Sequence, residues 1–117
     1  MYHALSEILL HVGFYEETLE VSDKALEICV EAKSFMVFGR LLCNKARALY
    51  HLGNYIESSA CFKKSYSAHM LHGNKEQASV VKKIVTQIDI EAKATERKAS
   101  LTFINRVNFR SALFSRA

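Results

Sequence analysis

The chain has 117 residues, half of them hydrophobic and about a quarter charged, and a net charge of +4. That length supports one domain with a modest core, and the composition is that of an ordinary globular chain, not a disordered one. Proline is absent, glycine occurs four times, and no alternating β-branched strands stand out, so β architectures drop away and an all-α chain is expected.

Five helices follow in chain order. The first covers 2–12, with Leu5, Ile8, Leu9 and Val12 on one face. Gly13 supplies the turn at its C-terminus, where a residue without Cβ adopts positive φ cheaply. A second helix covers 16–33 and is expected to bury Leu19, Ser22, Ala25, Leu26 and Cys29. Glu16, Glu17 and Glu20 stand in its first turns, where the helix dipole favours anions. The third spans 35–52 and closes at Gly53-Asn54. The fourth spans 55–71, with Ser58, Ser59, Phe62, Ser65 and Tyr66 in packing positions, and Gly73-Asn74 stops it. The fifth runs from 75 to 93 or beyond, carrying Ala78, Val81, Ile84, Val85, Ile88 and Ala92 at spacings of three and four.

Residues 94–117 fall outside this pattern, which divides the chain into a helical domain over 1–93 and a basic segment over 94–117. A polar stretch leads into Leu101, Ile104 and Val107, punctuated by Arg106, Arg110 and Arg116. The expectation is an amphipathic helix covering the open end of the stack. Phe103, Phe109 and Phe114 are costly to leave in water, at roughly 25 cal/mol per Å². A frayed tail is the competing reading.

Charge is distributed in blocks. Residues 1–31 hold seven acids and one base, a net −6; residues 32–93 hold ten bases and four acids, a net +6; the remainder carries +4. Blocks of opposite sign suggest elements or chains that meet by complementary charge, or simply solvated faces that differ. Cys29, Cys43 and Cys61 form an odd set without a CxxC pair, which fits reduced, buried thiols. With no secretory leader and no stretch as long as a membrane span, a cytoplasmic protein without membrane contact is expected.

The chain also repeats itself. Residues 9–17, LLHVGFYEE, align with 49–57, LYHLGNYIE, 40 residues later. A period of that length points to a helical solenoid, and short turns force antiparallel helix pairs. The segment 44–58, NKARALYHLGNYIES, resembles a tetratricopeptide repeat. That family alternates small and large residues on its first helix, turns at Gly-Asp/Asn-Tyr, and places a small residue three positions after the aromatic. Thr18 and Ser58 occupy that small position, Ala25 and Ser65 a second one, and Phe62 the large aromatic one, which Ser22 does not match. Lys45 stands where the family has Leu, and the period exceeds the usual repeat of about 34 residues. The longer repeat, with its turn at Leu71-His72-Gly73-Asn74-Lys75, is similar to those of bacterial peptide-sensing regulators and some eukaryotic adaptors. The resemblance covers residues 2–93, about two and a half repeats, and implies an α-solenoid of helix pairs.

It further implies a non-catalytic module that holds a protein or peptide ligand in a concave groove lined by the first helix of each pair. By position, Glu7, His11, Arg40, Asn44, Arg47, His51, Lys83 and Gln87 are the partner-binding candidates, with His3, Leu10, Cys43, Tyr50, Val80, Ile84 and Glu91 beside them. The family often uses Asn at the place of Asn44 to hold a peptide backbone, and an amide can both donate and accept there. Arg40, Arg47 and Lys83 suit carboxylates. The family's chaperone-tail clamp is not matched, because only Asn44 fits it.

No catalytic residue, cofactor or metal is expected. No nucleophile has an identifiable base and orienting acid, no Gly-rich phosphate loop occurs, and His69 and His72 lack a third ligand. Tyr15 and Tyr55 read as core residues at the turns. Direct nucleic-acid binding is not expected either. Met1 opens almost within a helix, so the sequence reads as a fragment of a larger protein. Two alternatives to a general binding module follow: the peptide-sensing or dimerisation part of a bacterial transcriptional regulator, and a self-assembling homodimer.

Overall fold

A computed structural model describes the backbone of residues 2–115 and the side chains of residues 2–98 and 101. Every element in it is helical: α1 (Tyr2–Val12), α2 (Tyr15–Glu31), α3 (Phe38–His51), α4 (Tyr55–Leu71) and α5 (Lys75–Ser115). The chain is therefore an all-α bundle of five helices. Each helix packs on its successor, and α1 also touches α3.

The corners have one chemistry. Residues 13, 33, 53 and 73, spaced evenly by 20, all adopt positive φ, between 53° and 92°. At the third corner the Asn54 N–H donates to the Leu49 carbonyl at 2.9 Å and the Gly53 N–H to the Tyr50 carbonyl at 3.0 Å. This pair of bonds satisfies carbonyls that the helix end leaves without partners. At the second corner Ser34 and Lys33 make the same two bonds, to Cys29 and Val30. A lysine there adopts a conformation that costs a side-chain-bearing residue roughly 1–2 kcal/mol. That corner is also longer than its sequence suggests. Residues 32–37 form the connection, so α3 begins at Phe38 and not near residue 35.

The core lies between α3, α4 and α5. Leu42, Ala46, Leu49, Cys61, Phe62, Ala68, Val81 and Ile88 form its centre, with Leu19 and Leu26 of α2 packed against it. Ala25, Cys29 and Leu41 make a second cluster towards α2. Much of what α4 buries is serine. Ser58 Oγ donates to the Ala46 carbonyl at 2.6 Å and Ser65 Oγ to the Gly39 carbonyl at 2.7 Å, both buried. Small hydroxyls that bond to the neighbouring helix's backbone let α3 and α4 approach closely without stranding a polar group. Lys45, out of place by sequence pattern, reaches across to Asp23 of α2 at 2.6 Å.

The outer side of α1 departs from expectation. Leu5, Ile8 and Val12 are exposed, whereas Ser6 is fully buried against α3. Among the described residues α1 packs on α2 and α3, and of its expected apolar stripe Leu9 alone is half-buried. At the opposite end α5 continues helical past residue 93 to Ser115. Its 41 residues span about 61 Å at 1.5 Å per residue, and the molecule measures 69 × 28 × 25 Å. The proposed cover for the open end, through Phe103, Phe109 and Phe114, lies outside the described side chains. Among the described residues no helix is long and apolar enough to cross a membrane.

Candidate functional site

Three adjoining clefts form a groove between α1, α3 and α5. One, of about 470 Å³, lies between Glu7, Leu10 and His11 of α1 and Asn44, Arg47 and His51 of α3, with Tyr15 at its end. A second, of about 410 Å³, lies between Arg47, Tyr50 and His51 of α3 and Ile84, Gln87, Ile88 and Glu91 of α5, floored by Phe62. A third and smaller one, of about 180 Å³, joins Glu7, Arg40, Cys43, Asn44 and Arg47 to Gln77, Val80 and Ile84, with His69 behind. Arg47 lines all three.

The helical repeat builds this surface. On α3, Arg40, Cys43, Asn44, Arg47 and His51 recur at three and four, one face of the helix. Leu41, Leu42, Ala46 and Leu49 fall on the faces that enter the core. Seven of the eight partner-binding candidates line the groove: Glu7, His11, Arg40, Asn44, Arg47, His51 and Gln87. Lys83 is exposed on α5 and lines none of the three clefts.

The polar groups differ in how far they are already engaged. Asn44 is buried and its Nδ2 donates to Ser6 Oγ at 2.9 Å, while Ser6 Oγ donates to the His3 carbonyl at 2.8 Å. This chain of bonds ties α1 to α3, so Asn44 holds the groove's walls together as well as lining it. Arg40 pairs with Glu7 at 3.5 Å. Both ends are well exposed, so the pair adds little stability. Glu91 accepts from the Tyr50 hydroxyl at 2.9 Å and from Gln87 Nε2 at 3.4 Å. That carboxylate raises the Tyr50 pKa. His51 is fixed by stacking on Tyr15, with centroids 4.6 Å apart and planes within 9°, and by the edge of Tyr50.

Arg47 is different. Its neighbour is the Cys43 thiol, whose pKa is raised by burial despite the opposing pull of Arg47, so the sulfur is neutral at pH 7. The ion pairs among the described residues join other groups. A guanidinium thus stands where the three clefts meet, with both groove carboxylates bonded elsewhere. It offers a bidentate site for a carboxylate next to an apolar hole floored by Phe62 and Ile88.

Several lining residues were not foreseen. Tyr15, read as core, is half-buried and forms a groove wall. His69 is buried behind the smallest cleft, where burial, together with the charges of His72 and Arg40, lowers its pKa. It fits because Gly39 faces it: a Cβ at Gly39 would lie 2.8 Å from His69 Cε1. A glycine inside the first turn of a helix was the available signal. Comparisons with protein families, with curated proteins and with solved structures found no match to this chain.

Proposed function

We propose that the chain is a non-catalytic module of the tetratricopeptide type, and that it binds a peptide or extended protein segment in the groove between α1, α3 and α5. The ligand presents a carboxylate to Arg47 and an apolar side chain to the neighbouring hole over Phe62 and Ile88. The carrying observation is the convergence of three clefts on one arginine that lacks a carboxylate among the described residues. The tetratricopeptide reading is supported by the left-handed corners every 20 residues and by the small residues Thr18, Ser58 and Ser65, all fully buried.

Selection of random linear peptides on the immobilised full chain tests this. Enriched sequences should carry an acid close to an aliphatic or aromatic residue. Arg47→Glu should weaken them ten- to a hundredfold, since a charge-assisted hydrogen bond contributes about 1.5–3 kcal/mol. The exposed control Lys24→Glu should change nothing, and all three proteins should melt alike. No enrichment, or binding indifferent to Arg47→Glu, would refute the reading.

A further inference from the structure

Away from the groove, and sharing none of its lining residues, lies a larger cleft of about 890 Å³. Its floor is apolar, built from Leu26 of α2, Phe38 and Leu42 of α3, Ala68 and Leu71 of α4, and Phe35 of the 32–37 connection. Leu71 is 85% exposed, and Met36, next to Phe35, is 88% exposed. Contiguous apolar surface with a polar rim marks a place where something binds. A pocket for a small molecule encloses most of its ligand's surface, and a cleft whose lining leucine stands so far out in solvent does not. An open apolar trough between helices suits the apolar face of another helix.

Every ionisable side chain that lines the cleft is basic. They are Lys45 of α3, Lys63 and Lys64 of α4, and His72 just past the end of α4. Lys45 pairs with Asp23 at 2.6 Å and Lys63 with Asp89 at 3.7 Å, and neither carboxylate is part of the lining. Lys64 takes part in no ion pair among the described residues, and both Lys64 and His72 are exposed. These two stand eight positions apart, about 12 Å along the axis of α4. From α2 the lining receives Leu26. The basic edge therefore runs along α4, and the α2 side is apolar.

We propose that this cleft docks an amphipathic helix of a partner protein, with the partner's apolar stripe on the floor and Asp or Glu along the one edge that faces Lys64 and His72. The apolar floor supplies the contact area, and the charge selects the partner. Two carboxylates about seven or eight residues apart on the docked helix match the rise from Lys64 to His72. A helix with a basic edge would oppose like charges there, which costs affinity and turns the wrong partner away. The site is separate from the groove around Arg47, and neither reading depends on the other.

The test uses the full chain carrying Arg47→Glu, which disables the groove, so that the two sites fail independently. A display library of helix-constrained peptides with random residues is selected on it. Enriched peptides should carry apolar residues at intervals of three and four with Asp or Glu along one edge. Lys64→Glu with His72→Glu should weaken them about tenfold or more, and Lys64→Glu alone should act in the same direction. Peptides whose acids are changed to Lys should prefer the doubly substituted chain. Leu71→Glu should abolish binding, whereas Ile56→Glu, at an exposed position of α4 outside the cleft, should leave it unchanged. Far-ultraviolet circular dichroism checks that the helices persist in each variant. No enrichment, enriched helices with basic or neutral edges, or binding indifferent to the charge reversal overturns the proposal. So does self-association of the unsubstituted chain that Leu71→Glu abolishes, which would give the cleft to a second copy.

Discussion

Ser22→Ala should stabilise this protein, although it removes a polar group from a well-packed helix. Ser22 is fully buried on α2, and its Oγ has no hydrogen-bond partner. An unpaired buried hydroxyl costs about 1–3 kcal/mol relative to water. Alanine also has the higher helix propensity, by about 0.5 kcal/mol. Against these stands the lost packing of one oxygen, a few tenths of a kcal/mol. The net gain is about 1–2 kcal/mol, and each kcal/mol raises the melting temperature by about 3–6 °C in a domain of this size. Ser58→Ala is the matching control. Ser58 is equally buried, but its hydroxyl is bonded to the Ala46 carbonyl, so the same change loses about 0.5–1.5 kcal/mol of hydrogen bond against the same propensity gain. Thermal melts followed by circular dichroism at 222 nm should therefore move upward for Ser22→Ala and stay level or fall for Ser58→Ala. Equal shifts in the two variants, or a lower melting temperature for Ser22→Ala, would refute the reasoning.

Two further expectations concern other parts of the fold. Lys33→Gly should raise stability by about 1 kcal/mol, because glycine removes the cost of positive φ at a small price in unfolded-state entropy. Gly53→Ala should lose about as much through backbone strain alone, since nothing lies within 4 Å of a Cβ built there; urea titration of both variants measures the pair, and a destabilised Lys33→Gly would contradict the account. His69, whose pKa is lowered in the fold, stays neutral at pH values where the unfolded chain takes up a proton. Its contribution to stability is thus present above its unfolded pKa of about 6.5 and lost as pH falls below it. Melts between about pH 7.5 and pH 5.5 should show a decline that is flatter in His69→Gln, and parallel declines would remove His69 as the source.

The helices were legible from punctuation more than from hydropathy. Gly13, Gly53 and Gly73 fixed three corners, and the α4 limits at residues 55 and 71 follow from glycines on either side. Lys33 hid the extent of the second corner, because nothing in a lysine announces positive φ, and α3 was accordingly begun too early. Hydropathy misleads at both extremes. Ser58, Ser59 and Ser65 look like surface residues yet lie in the interior, where repeat register, not polarity, placed them. Leu5, Ile8 and Val12 look like core yet face water, since a periodic stripe says which residues share a side but not whether a neighbour exists there. For the groove, the positions carried over from the family resemblance include seven that line one surface. That reading could not tell Arg47, which forms no ion pair among the described residues, from Arg40, already paired with Glu7, because partners across the groove are 33 or more positions apart in sequence.

The order in which the helices touch bears on how the fold is made and lost. Most packing among the described residues joins consecutive elements, the α1–α3 contact and the Tyr50–Glu91 bond between α3 and α5 being among the exceptions, so few contacts require distant stretches to find each other first. Chains wired this way assemble quickly. Pulled by its two termini, such a protein should come apart by peeling, one helix after another, and not by a single abrupt rupture.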